Sequence, residues 1–130
     1  MRISEKNYVD KAEKVIRQLC SKVDKGKKVD IATTTQIRNL LAMSADIYNC
    51  AILIEGDKLT DDIVSKIEYL KIRMVYDAGR DDKVKALIEK AELLECLKEI
   101  NGSKKNFILF NHYMEAIVAY RKYLGGKEKE

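Results

Sequence analysis

No proline occurs in the 130 residues, and the six glycines stand at positions 26, 56, 79, 102, 125 and 126. Proline breaks helix interiors, because it lacks the N–H donor and clashes with the preceding turn. Glycine is favoured just past a helix end, where it adopts the left-handed conformation. From Gly26 to Gly125 the successive intervals are 30, 23, 23 and 23 residues. Breakers confined to helix-length intervals predict an all-α chain, a compact bundle of about five helices. The three equal units share no residue-level similarity, so the spacing is not a repeat. It reads as helices matched in length, each about 30 Å long, as antiparallel neighbours on short loops require.

The periodicity divides the chain into one helical domain over residues 1–130. Residues 1–30 form a basic N-terminal helix and linker, 33–124 the core helices, and 125–130 a tail. The first helix is predicted from Glu5 to Lys22, with Val9, Ala12, Val15, Ile16, Leu19 and Val23 at helical spacing. Lysine-rich Ser21–Lys28, containing Gly26, reads as an exposed linker. The second helix opens near Thr33, which with Gln36 has capping-box spacing, and runs to Ile54 or Glu55. Its apolar face is Ile37, Leu40, Leu41, Ile47, Tyr48 and Ala51.

Thr60 is the expected cap of the third helix, with Leu59 and Val64 as a hydrophobic staple. Ile63, Ile67, Leu70, Met74 and Ala78 face inward, and Gly79 is expected to stop it. The fourth is predicted as one helix from Asp81 or Asp82 to Asn101-Gly102. It buries Val84, Leu87, Ile88, Ala91, Leu94 and Leu97. The fifth starts at Ser103 and is the most apolar. Phe107, Phe110, Met114, Ile117 and Leu124 form one stripe, and Asn111, His112, Glu115 and Lys122 form a polar edge. So little polar surface predicts a central helix with neighbours on several sides.

Hydrophobic content of 46% supports a real core, and the 35% of charged residues suits helices with wet outer faces. Apolar runs such as Cys50–Ile54 and Phe107–Phe110 fall far short of the roughly 18 residues that span a membrane. The N-terminal MRISEKNYVDK has no apolar signal region. Three separated cysteines, Cys20, Cys50 and Cys96, then read as reduced thiols in a cytoplasm. Cys50 and Cys96 are expected to act as small apolar fillers. Net charge is +4, with both ends basic and the middle slightly acidic. That excess permits polyanion binding without requiring it.

Catalytic chemistry finds little footing. The single histidine, His112, has no nucleophile and orienting carboxylate patterned around it. Zinc sites use close-spaced ligand pairs, whereas the cysteines and His112 are isolated. No phosphate-cradling glycine loop is present. Asp61-Asp62 and Asp81-Asp82 fall where two helices begin, so they read as caps rather than as metal ligands. Neither a cofactor nor a metal is implied, and the chain does not read as an enzyme.

One constellation stands apart. Lys66, Tyr69, Arg73, Tyr76 and Arg80 follow spacings of three, four, three and four, and share one face of the third helix; Lys71 lies elsewhere on its surface. Cations neutralise phosphates and tyrosine rings offer stacking to any base, a pattern suited to single-stranded nucleic acid. A solvated face with half-buried tyrosine rings is the alternative. Thr34, Thr35, Gln36 and Arg38 form a second polar patch at a helix N-terminus, where N–H groups can hold a phosphate or be capped.

From Thr33 to Gly126 the chain resembles the small α-helical subunit of type III-A CRISPR effector complexes, the Csm type. The resemblance rests on Thr35-Gln36-Ile37-Arg38, on Leu70-Lys71-Ile72-Arg73 leading to Tyr76-Asp77-Ala78-Gly79-Arg80, and on Phe110 before Tyr113-Met114-Glu115-Ala116-Ile117-Val118-Ala119-Tyr120 and Gly125-Gly126. It implies a non-catalytic subunit, several copies of which stack as an inner filament along the guide RNA–target RNA path. Its partners would be the backbone subunits, the large subunit and further copies of itself. The RNA-binding positions it implies are Gln36, Arg38, Lys71, Arg73 and Arg80, of which Arg73 and Arg80 also belong to the stripe. Three rivals remain: a DNA-binding helical regulator, a structural helical adaptor without nucleic-acid contact and, last, a metal-dependent enzyme using Asp61 and Asp81. The unbroken pattern from Ile37 to Ala51 argues against the short helices and tight turn of a helix-turn-helix.

Overall fold

The computed structural model describes residues 1–28 and 30–125. Among these residues six helices succeed one another: α1 (Tyr8–Cys20), α2 (Thr34–Ala51), α3 (Asp61–Arg80), α4 (Asp82–Ala91), α5 (Leu93–Ile100) and α6 (Lys104–Tyr123). Two very short strands, β1 (Val23–Asp24) and β2 (Lys27–Lys28), pair antiparallel between α1 and α2. The all-α reading therefore holds, with six helices rather than five. The stretch read as a linker is a minimal hairpin. Lys25 and Gly26 take φ of 52° and 78° at its turn, the left-handed pair that hairpins of two-residue loops demand.

Local capping chemistry places most helix starts where the sequence puts them. Thr33 Oγ1 accepts from the Gln36 N–H, and Gln36 Oε1 accepts from the Thr33 N–H, closing a full capping box. Thr60 and Ser103 cap α3 and α6 through their hydroxyl oxygens. Asp57 reaches across to α6, accepting from the Lys105 N–H and the Ser103 hydroxyl. In return Lys104 Nζ donates to the Ile52 and Ile54 carbonyls just past the end of α2. The loop between α2 and α3 is thereby tied to the start of α6. It also explains why α2 stops at Ala51, short of the expected Ile54.

The expected fourth helix is broken at Glu92. This residue sits at φ 57°, ψ 41°, a left-handed conformation that costs a side chain roughly 1–2 kcal/mol. Long-range partners compensate. Glu92 accepts from Lys11 Nζ at 2.7 Å and from Arg2 Nε at 2.8 Å, and the second carboxylate on Arg2 belongs to Glu99. The break also shifts the helical phase: Leu93 is fully buried, whereas the expected Leu94 is only half-buried.

Gly79 does not stop α3. The helix runs through it to Arg80, and the turn falls at Asp81, whose extended backbone ends α3 and caps α4 in one residue. The Asp81 carboxylate accepts from the Lys83 N–H, as the capping reading of that aspartate pair expects.

α6 lies at the centre, packed most extensively against α1 and α2 and also against α5. Phe107, Phe110, Tyr113, Met114 and Ile117 are fully buried. Each large apolar side chain buried this way contributes about 1.5–3 kcal/mol. Three more side chains depart from expectation, and Arg121, not assigned from the sequence, is buried. Asn111 is buried rather than on a polar edge, because its Oδ1 accepts from the buried Ser44 hydroxyl of α2. Arg121 donates from Nε to the Ala32 carbonyl before α2. Val9 and Cys50 are exposed, so Cys50 fills no core space. Cys96 does, and burial pushes its thiol up to about 12. The expected tail lies outside the described residues from 126 onward.

The Glu92 network gives a pH signature. The Lys11 ammonium, then the Arg2 guanidinium, hold the Glu92 carboxyl below the usual carboxylate range, and the Arg2 backbone N–H does the same for Glu99. A folded value below the unfolded one means that the stabilisation is complete above the ordinary value of 4.5 and is lost as pH falls through the folded value. The melting temperature is expected to drop on acidification below about pH 4.5. Glu92→Gln should melt lower at neutral pH and lose less on acidification. Parallel pH profiles for the two proteins would exclude a role for this network.

Candidate nucleic-acid interface

α3 buries Ile63, Ile67, Leu70 and Met74 on one side. Lys66, Tyr69, Arg73 and Arg80 flank that stripe on the α2 side. The seam they line has two connected parts. Near the start of α3, Lys66 and Tyr69 border a groove with Met43, Asp46 and Cys50 of α2. Towards its end, Arg73, Asp77 and Arg80 face Gln36, Asn39 and Met43 across a cleft of about 380 Å³. Met43 lines both parts, so the seam runs continuously along the two helices.

The two arginines are held differently. Arg73 lies 4.0 Å from the Asp77 carboxylate, one turn further along. The Arg80 guanidinium instead lies 5.5 Å from the centroid of the Tyr76 ring. A cation over a ring face is attracted by its quadrupole, and the guanidinium keeps its N–H donors for other partners. Tyr69 and Tyr76 are 60% and 56% exposed, so each ring is partly buried and leaves the rest of its surface open to a partner.

The other expected positions are dispersed. Lys71 is on the opposite flank of α3, in a groove shared with Lys98 and Ile100 of α5. Arg38 is exposed on α2, two positions and about 200° round from Gln36. Gln36 lines the cleft, but its side chain is committed at both ends. Its Oε1 closes the capping box, and its Nε2 donates to Asp81 Oδ2 at 2.8 Å. Gln36 is therefore a strut joining the starts of α2 and α4. Burial alone would raise the Asp81 carboxyl; the N–H of Lys83 and the Gln36 amide hold it below its ordinary value instead. Thr34 is buried, so only Thr35 of the two helix-opening threonines after the cap is exposed.

Two polar cleft residues are absent from the sequence-based set. Asn39 follows Gln36 by three positions and Asp77 follows Arg73 by four, so helical spacing could have found both. The outer face of α3 carries a further surprise. Ile72 and Val75, 62% and 52% exposed, join Tyr69 and Tyr76 in an apolar patch. α2 is one unbroken helix over Thr34–Ala51, so no helix-turn-helix is formed within that stretch. Among the described residues no cluster of three or more metal-ligating side chains occurs, and no helix is long and apolar enough to cross a membrane.

Comparison with known proteins identifies the family. The family described as Csm2 Type III-A matches residues 6–127. A Streptococcus thermophilus protein named CRISPR system Cms protein Csm2 is 42% identical over 126 residues, covering 97% of this chain and 98% of the relative. Its Mycobacterium tuberculosis namesake is 40% identical over 129 residues, covering 99% and 100%. The Enterococcus italicus one is 34% identical over 94 residues, covering 70% and 66%. A family match over nearly the whole chain, joined by relatives of matching length, leads to one conclusion: this chain belongs to the Csm2 type III-A family.

Proposed function

We propose that the chain is the small, non-catalytic subunit of a type III-A CRISPR effector complex, and that its α2–α3 seam supports the guide RNA–target RNA strand. The observation carrying this reading is the alignment of Lys66, Tyr69, Arg73 and Arg80 along one continuous seam in a Csm2-family chain. Two exposed tyrosines and several cations suit contact with backbone and base faces, without reading of sequence. Guide–target pairing supplies the sequence in RNA-guided systems. Further copies of the chain, stacked along the strand, would add avidity to modest single contacts.

The outer patch of Ile72 and Val75 has no nucleic-acid chemistry and suits a neighbouring subunit, either another copy or a backbone or large subunit. That same patch also favours a second reading, a structural adaptor whose seam is merely solvated. Ultraviolet crosslinking of the assembled complex to target RNA separates the two. Crosslinks are expected in α3 peptides carrying Tyr69 or Tyr76. Full assembly and target protection without crosslinks to this chain would favour the adaptor, and preference for a duplex DNA site would favour a regulator.

A further inference from the structure

The cleft between α2 and α3 holds a negative charge where a phosphate binder should not need one. Asp77 lies between Arg73 and Arg80 in sequence and lines the same cleft. Its side chain is 25% exposed, against 44% for Arg73, so it is the more buried partner of the pair. Nothing in α3's own geometry requires that acid. The helix is ended by the Asp77 backbone carbonyl, which accepts from the Asp81 N–H and would do so with any side chain. The capping work at this end is done by Asp81.

We infer that Asp77 is an internal competitor for the anion site, a carboxylate that occupies Arg73 in the free chain and must be displaced, or tolerated, when a phosphate arrives. This rests on the reading of the seam as an RNA contact. The Arg73–Asp77 distance of 4.0 Å is at the limit of an ion pair, so the contact is weak enough to open. The ion pair to Asp77 is made by Arg73, whereas the Arg80 guanidinium rests on the Tyr76 ring. The two cations therefore differ in role: Arg80 presents free donors, and Arg73 is gated. A gated cation lowers the affinity of a single copy for any polyanion. Occupancy then depends on several copies engaging one strand together, since avidity multiplies contacts that are individually weak.

The test is binding of a short unstructured RNA oligonucleotide to the full chain, followed across a salt series. Asp77→Asn keeps the side chain's size and removes its charge. It is expected to bind RNA roughly two- to fivefold more tightly than the native chain at low salt, from the worth of an exposed pair, with the gain shrinking as salt rises. Asp77→Glu retains the charge and should show no gain. Circular dichroism establishes that all variants fold. If Asp77→Asn binds no more tightly while Arg73→Ala and Arg80→Ala still weaken binding, the competitor role is wrong and the seam reading stands. If the arginine variants also bind like the native chain, the seam reading fails and this inference with it.

Discussion

Arg73→Ala combined with Arg80→Ala is expected to weaken binding of an unstructured RNA roughly ten- to a hundredfold at low salt. Each guanidinium can give charge-assisted hydrogen bonds to a phosphate, and such bonds contribute about 1.5–3 kcal/mol where they are well formed. Each decade of affinity corresponds to about 1.4 kcal/mol, and partial exposure of Arg73 brings the combined loss below that of two well-formed bonds. The slope of log affinity against log salt should become shallower by about 1.4, since a single strand contributes about 0.7 per neutralised phosphate. Both side chains are at the surface, so the double variant should melt close to the native temperature. Lys71→Ala is the informative companion, because Lys71 occupies the other flank of α3. A strand in the α2–α3 seam predicts a small effect there. A larger loss from Lys71→Ala than from the arginine pair would move the strand to the α3–α5 groove.

How much of this site could be read in the sequence depends on which helix each residue occupies. The stripe Lys66, Tyr69, Arg73, Tyr76, Arg80 follows from helical spacing within α3; Lys66, Tyr69, Arg73 and Arg80 line the seam with α2, whereas Tyr76 lies towards the outer face. Residues from α2 are a different matter. Gln36 and Arg38 are two positions apart, and which of them meets α3 depends on how the helices pair. The pairing brings Gln36 into the cleft and leaves Arg38 outside it. The commitment of Gln36 to Asp81 crosses 45 residues, beyond any local pattern. Asp77 was visible as an i+4 partner of Arg73, but its significance needed the cleft.

The fold shows the same division. Thr33, Thr60 and Ser103 cap their helices through bonds that span three residues, so local sequence sufficed. Gly56 and Gly102 take positive φ, as glycines past helix ends do, whereas Gly79 is simply helical. The missing breaker is Glu92, a residue that no propensity argument would choose for a left-handed turn. Its conformation is stabilised by Lys11 and Arg2, 81 and 90 residues away. Burial of Asn111 likewise depends on Ser44, 67 residues distant. What was illegible is what long-range polar contacts impose on an otherwise periodic chain.

Tyr113→Phe is expected to destabilise the fold by about 1–3 kcal/mol, the cost of leaving a buried polar group unpaired. The break at Glu92 ends α4 at Ala91 and interrupts the hydrogen-bond ladder there. The Ala91 carbonyl instead accepts from the Tyr113 hydroxyl at 2.9 Å. Tyr113 is fully buried in the middle of α6, and burial raises its phenol above the ordinary value, so it remains a neutral donor. Phenylalanine keeps the ring and its packing and removes only the donor, so the loss isolates that one bond. At roughly 4 °C per kcal/mol for a chain of this length, thermal unfolding should fall by several degrees. Amide hydrogen exchange should accelerate first around Ala91–Leu93, where α4 meets α5. The further variant Tyr113→Leu should lose more, since it also removes part of a fully buried ring. A melting temperature unchanged in Tyr113→Phe would mean that the Ala91 carbonyl finds another donor. The break would then be held by the Glu92 network alone, and Glu92→Gln would become the more damaging of the two substitutions.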